Sequence, residues 1–64
     1  MSHEMSCEFK KETDKAVLIH DPASDEDIWI PLSQVESMHG RQRDGTGHGT
    51  IVMSDWIAEQ KGLI

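Results

Sequence analysis

The sequence predicts a mainly β protein: a small, bent antiparallel sheet or partial barrel of three to five strands, with a short C-terminal helix. Three observations predict it. Lys15 to His20 alternates side chains in the period of two that marks a strand buried on one face. Ile28-Trp29-Ile30 repeats that alternation and is stopped by Pro31, which cannot donate to a sheet ladder. Thr50 to Met53 returns to a β-rich composition directly before Ser54, a good helix N-cap.

Along the chain, residues 1–6 are expected to fray, with extended structure beginning near Cys7. In the strand Lys15–His20, Val17 and Ile19 share one face while Ala16, Leu18 and His20 share the other. Asp21-Pro22-Ala23-Ser24-Asp25 breaks it, because proline presets a turn and Asp and Ser bond locally. Glu26–Pro31 is the returning strand of a hairpin whose loop has about six residues. Ile28 and Ile30 face one way and Trp29 the other. If the isoleucines fill the core, Trp29 must be covered by the terminal helix or by another subunit. Ser33 can cap a short turn, and Val35–Met38 resumes extended structure. Gly40 through Gly49 is polar and glycine-rich, hence a loop. After Ser54, Asp55 suits the positive end of a helix, and Trp56–Lys61 makes about two turns. Gly62 is placed as the left-handed residue after the helix, with Leu63 folding back on Ile57.

Sixty-four residues make one domain, 1–64. A chain this short buries only about 60% of its unfolded surface and needs a staple or a partner. Cys7 is the single cysteine, so no intrachain disulfide can form, and no Cys or His spacing suggests zinc. Neither a metal nor a cofactor is expected. Oligomerisation is the remaining source of burial, which predicts a homodimer or a tetramer with Trp29, Trp56 or Leu63-Ile64 in an interface. No apolar run approaches the ~20 residues that span a bilayer, and Met1-Ser2-His3-Glu4 has no signal-peptide pattern. Together with the lone cysteine, this reads as a cytosolic protein without a membrane role.

The formal charge of −6 is uneven. Residues 1–36 hold nine acids against three lysines, a net of −6, and residues 51–64 sit at −1. Between them, Arg41 and Arg43 against Asp44 give residues 37–50 a net of +1. Such a surface disfavours long nucleic acids, whose affinity comes mainly from Lys and Arg contacts to phosphate. It leaves room for one local anion site, and the middle segment is the candidate. There the glycines let backbone N–H groups approach a phosphate, with Arg41, Arg43 and Thr46 adding charged or hydroxyl bonds. The candidate ligand residues are Arg41, Arg43, Gly45, Thr46, Gly47, His48, Thr50 and Trp29, the last as a ring that can stack on a base. A plain hairpin loop accounts for the same glycines, and a core or interface role accounts for both tryptophans. No Walker or dinucleotide pattern is present. Asp21, Asp25, Glu26 and Asp27 lie in a turn and at a strand start, where solvated acids are common. No catalytic residue is assigned, and Cys7 reads as a buried or half-buried thiol.

One further pattern lies in Ile28-Trp29-Ile30-Pro31-Leu32-Ser33-Gln34-Val35. Its Trp-Ile-Pro-x-Ser-Gln core resembles a motif of small phage and prophage proteins. Glu12-Thr13-Asp14-Lys15-Ala16-Val17-Leu18-Ile19 and Trp56-Ile57-Ala58-Glu59-Gln60-Lys61-Gly62-Leu63 are similar to segments that accompany it, in the same order. The resemblance implies a non-enzymatic accessory protein of the host bacterial cytosol. Compact phage proteins without catalytic residues often counter host defence, some as sponges that sequester nucleotide signals. The first expectation is therefore a homo-oligomer holding a small anionic nucleotide. The alternative is an acidic inhibitor module that binds a basic groove of a host protein such as a defence nuclease. A third possibility is a subunit docked in a larger phage assembly.

Overall fold

A computed structural model describes all residues, 1–64. The strands are β1 (Ser2–Glu12), β2 (Ala16–Asp21), β3 (Glu26–Pro31), β4 (Val35–His39) and β5 (Gly47–Ser54), followed by helix α1 (Asp55–Gln60). All neighbours are antiparallel, in the order β3-β2-β1-β5-β4. The mainly β architecture with a short terminal helix is the one the sequence predicts. Of the predicted alternatives it takes the open sheet, since β3 and β4 remain unpaired edges.

Those two edges are nonetheless consecutive in the chain. Only the 3-10 turn Leu32–Gln34 separates the end of β3 from the start of β4. Four residue steps from Pro31 to Val35 reach at most about 14 Å, whereas the edges of a flat five-stranded sheet lie about 19 Å apart. The sheet must therefore curl. Two bonds hold the turn in place: the Leu32 N–H donates to the Lys15 carbonyl at 2.8 Å, and the Ser54 hydroxyl donates to Gln34 Oε1 at 2.6 Å. Ser33 makes no cap; Pro31 stands at that position without a side-chain bond.

The inside of the curl is the core. Cys7 and Phe9 come from β1, Val17 and Ile19 from β2, Ile30 from β3, Ile51 and Met53 from β5, and Ile57 and Ala58 from α1. Alternation decides the membership: the face shared by Val17 and Ile19, and that of Ile30, is the one turned inward, and all three are fully buried. Ala16, Leu18 and His20 lie on the outer face. Trp29 is there too, 42% exposed, opposite Leu18. The terminal helix does not cover it. Trp56 and Ile64 are also exposed. The total surface of 4130 Å² equals the ~4100 Å² expected of a folded monomer of this mass. Incomplete burial is thus local to these side chains rather than general.

The helix closes as its sequence directs. Ser54 Oγ accepts from the Ile57 N–H at 3.3 Å, and Asp55 occupies the first turn. At the other end Gly62 sits at φ +72. Its N–H donates to the Glu59 carbonyl and the Leu63 N–H to the Ala58 carbonyl, the paired bonds of a Schellman motif. Leu63 returns to pack on the core.

Two boundaries differ from expectation. Ser2 to Ser6 is not a frayed end: it pairs with Ser54 to Thr50 of β5, because that strand would otherwise lack a neighbour on this side. The glycine-rich loop is also shorter. Gly47, His48, Gly49 and Thr50 belong to β5 and pair with β1, and only residues 40–46 are loop. Gly49 is needed for packing, since a Cβ there would overlap the His39 carbonyl of the adjacent strand. Gly49→Ala should therefore cost about 1–3 kcal/mol, the usual penalty of overpacking. Urea unfolding reads this directly as a lower midpoint, and an unchanged midpoint would refute the close approach of β4 and β5.

Candidate functional site

The loop 40–46 borders a polar cleft of about 690 Å³ whose walls include Glu12, Asp14, Arg41, Arg43, Asp44 and Gly45. One of its two cationic groups is committed. Arg41 donates through Nη1 to Glu12 Oε1, and its guanidinium lies 5.9 Å from the centroid of the Phe9 ring, where it caps that end of the core. Thr46 is committed as well: its hydroxyl and N–H both donate to Asp44 Oδ1, at 2.7 and 3.0 Å. These bonds, the hydroxyl's first, hold the Asp44 carboxyl below the usual carboxylate range. The Gln42 N–H donates to the Thr46 carbonyl and the Gly45 N–H to that of Gln42. The loop satisfies itself, and Arg43 is left as its cation without an ion pair.

The predicted ligand residues do not converge. Arg41, Arg43 and Gly45 line the cleft; Thr46 is turned to Asp44, and Gly47 begins β5. His48 and Thr50 line a second depression instead, a trough of about 420 Å³ that also takes in Ser6, Glu8, His20 and Pro22. Trp29 lines neither.

The trough is shaped by a cross-strand row that sequence spacing does not announce. Asp27, His20, Glu8 and His48 come from β3, β2, β1 and β5, each opposite the next in register. His20 Nδ1 donates to Asp27 Oδ1 at 2.8 Å, and Nε2 lies 3.1 Å from Asp25 Oδ1. A carboxylate only accepts, so the hydrogen bond to Asp27 places a ring N–H at Nδ1, while the Asp25 carboxylate faces Nε2 as a nearby charge. The bond to Asp27 accordingly raises the His20 pKa above 6.5, with the charges of Asp25 and Asp27 adding to it. Burial and Lys10 oppose that shift.

Another acid of the turn has a different task. Asp21, itself buried, accepts from the Ala23 N–H at 3.1 Å and the Ser24 hydroxyl at 3.0 Å, which closes the β2–β3 turn. The acid run thus folds into a turn lock and a histidine clamp. The sign available in the sequence was the placement of His20 and Asp27 on facing strands of the predicted hairpin. No group of three or more His, Cys, Asp or Glu side chains has the arrangement to hold a metal ion. No helix is long and apolar enough to cross a membrane. No family model matches the chain, and neither a curated protein nor a solved structure matches it.

Two titrations test this geometry. By NMR, the His20 ring should titrate above 6.5, and Asp27→Asn should bring it back toward that value. The clamp stabilises the hairpin fully below 6.5 and is lost as pH rises through the folded-state value. An unchanged midpoint in Asp27→Asn would exclude the bond. Cys7 titrates in the opposite sense of charge. Burial, helped by the charge of Asp21, pushes its thiol from 9.0 to about 11. The unfolded thiol ionises first, so stability should fall from pH 9 to pH 11 and be unaffected by this group below 9. Urea melts at pH 8 and 10.5 should show a steeper loss for the wild type than for Cys7→Ala.

Proposed function

We propose that this protein is a non-enzymatic binding module that occupies a basic groove of another protein through its acidic outer sheet face. One observation carries this reading: the outer face is uncovered, and alternation places Glu4 and Glu8 of β1 and Asp27 of β3 on it. Glu36 at the β4 bulge joins them through its bond from Ser2, and Asp25 and Glu26 stand at the rim. Complementary charge of this kind steers encounter and selects partners. The resemblance to small phage proteins supports a setting in the cytosol of a bacterial host, with a defence nuclease as the kind of target whose nucleic-acid channel is basic.

The clean variants avoid acids that hold the fold. Asp25 and Asp27 clamp His20, so Glu4→Lys combined with Glu26→Lys is the informative reversal. Wild-type protein immobilised in host lysate should retain a stoichiometric partner that elutes as salt is raised. The double variant should retain none. Equal retention by both, or no partner at all, would oppose the proposal.

A second reading, a homo-oligomeric nucleotide sponge, is favoured by the unpaired Arg43 beside the cleft and by the exposed Trp29 and Trp56. A second copy would cover the tryptophans, and one ring would stack on a base. Arg41 would have to leave Glu12 to take part. Calorimetry against cyclic di- and trinucleotides, with light scattering for mass, tests it. Heat at ~100 μM that disappears in Arg43→Ala, from a dimer or tetramer, would favour the sponge over the acidic module.

A further inference from the structure

β3 is an edge strand with an open hydrogen-bonding side. The Leu32 N–H donates to the Lys15 carbonyl, and from that pair the β2–β3 register runs without a bulge back to Asp21 opposite Glu26. Bonded and non-bonded pairs alternate in an antiparallel ladder. Ile30, Ile28 and Glu26 therefore bond to β2, while Asp27, Trp29 and Pro31 turn their backbone groups away from it. Pro31 has no N–H. The donors of the open edge are thus the Asp27 and Trp29 N–H groups, and neither makes a turn or loop bond. The opposite edge, β4, is broken by a bulge between Val35 and Ser37, a device that blunts pairing. On β3 the acids and Pro31 guard only the two ends. The middle carries Trp29, 42% exposed beside Leu18.

A second copy of β3 completes this edge in one register. A two-fold axis through the sheet keeps every side chain on its own face, so each residue must oppose one of the same parity. With Trp29 opposite Trp29 of the second copy, their N–H groups and carbonyls bond reciprocally. Each Asp27 N–H then donates to the Pro31 carbonyl of the other copy, so four bonds form and every open donor is used. Ile28 opposes Ile30, and Leu18 and Trp29 of both copies make an apolar row across four strands. A centre on Ile28 also makes four bonds, but it sets Asp27 against Trp29 and brings the two Asp27 residues within about 7 Å along the strands. That is inside the Debye length of about 8 Å. The Trp29 centre separates them by about 14 Å. A centre on Ile30 leaves two bonds, and one on Asp27 opposes like charges.

The same register is complementary in charge. Glu26 falls opposite Leu32 of the second copy, one strand from that copy's Lys15, and the two-fold repeats the arrangement. Glu26 and Lys15 are both exposed, and neither has an ion pair within its own chain.

We propose that the chain forms a two-fold homodimer by antiparallel β3–β3 pairing centred on Trp29, which joins two five-stranded sheets into one. The pairing rests on neither the acidic-module nor the sponge reading. It is compatible with both.

Sedimentation equilibrium of the full chain from ~10 μM to ~500 μM, with amide hydrogen exchange by NMR at both ends of that range, tests it. The mass should double across the range. The Asp27 and Trp29 amides should exchange more slowly at the high concentration, while those of Ile28 and Ile30, already bonded to β2, should not change. Trp29→Lys sets two cations on the axis and should weaken the dimer at least tenfold, with a well-dispersed spectrum confirming the fold. Lys15→Glu should weaken it about threefold, the scale of exposed charge pairs, and adding Glu26→Lys should restore it. A monomeric wild type at ~500 μM, or a dimer that survives Trp29→Lys, would overturn the proposal. Dimerisation without added protection at Asp27 and Trp29, or without rescue by the charge exchange, would overturn it as well.

Discussion

The constraint on which the rest depends is the short link between the two outermost strands. β3 and β4 lie at opposite edges of the sheet, yet only Leu32, Ser33 and Gln34 join them. A flat sheet cannot satisfy that connection, so the sheet bends until its edges approach. Bending creates an inside, and the inside is where Phe9, Val17, Ile19, Ile30, Ile51 and Met53 meet. It also leaves an end to be closed, which Ile57 and Ala58 of α1 do. A two-stranded ribbon is marginal in water. Here β1 joins the β2–β3 and β4–β5 ribbons into one sheet, and the link holds that sheet in a curl.

The charge distribution follows from the same geometry. Several of the acids that give the chain its charge of −6 are structural groups: Asp21 locks a turn, Asp27 and Asp25 hold His20, Asp44 holds Thr46, and Glu12 holds Arg41 over Phe9. A segment that reads as a phosphate loop is therefore satisfied from within. Its hydroxyl and one of its arginines already have carboxylate partners, and a ligand would have to displace them. On the outer face the situation is reversed. Glu8 is exposed to water and makes no side-chain hydrogen bond, and His48 Nε2 lies 3.9 Å from its carboxylate.

Much of the fold was legible in the sequence because it is encoded locally. Alternation identified β2 and β3 and grouped Val17 with Ile19, and Ile28 with Ile30 opposite Trp29, since side-chain direction in a strand depends only on the period of two; which face turned inward was left to the tertiary structure. Ser54, Asp55, Gly62 and Leu63 marked the helix and both its ends through capping chemistry that spans a few residues. What remained hidden involved distant partners. Ser2 to Ser6 has no strong strand pattern and is ordered by pairing with β5, more than forty residues away in the chain. Gly47 to Thr50 reads as loop from its glycines, yet the near approach of His39 makes Gly49 a requirement of the sheet.

The candidate site divides along the same line. The sequence by itself determined which chemistry was present: an acidic chain, two central arginines, four histidines, one thiol and two tryptophans. Only the tertiary structure decided which of these groups meet. It set Arg41 against Glu12 and Phe9, left Trp29 away from both depressions, and aligned Asp27, His20, Glu8 and His48 across four strands. The physical reason is strand register. Lateral neighbours in a sheet are set by hydrogen-bonded pairing between distant segments, and one residue of slip would send each side chain to the other face.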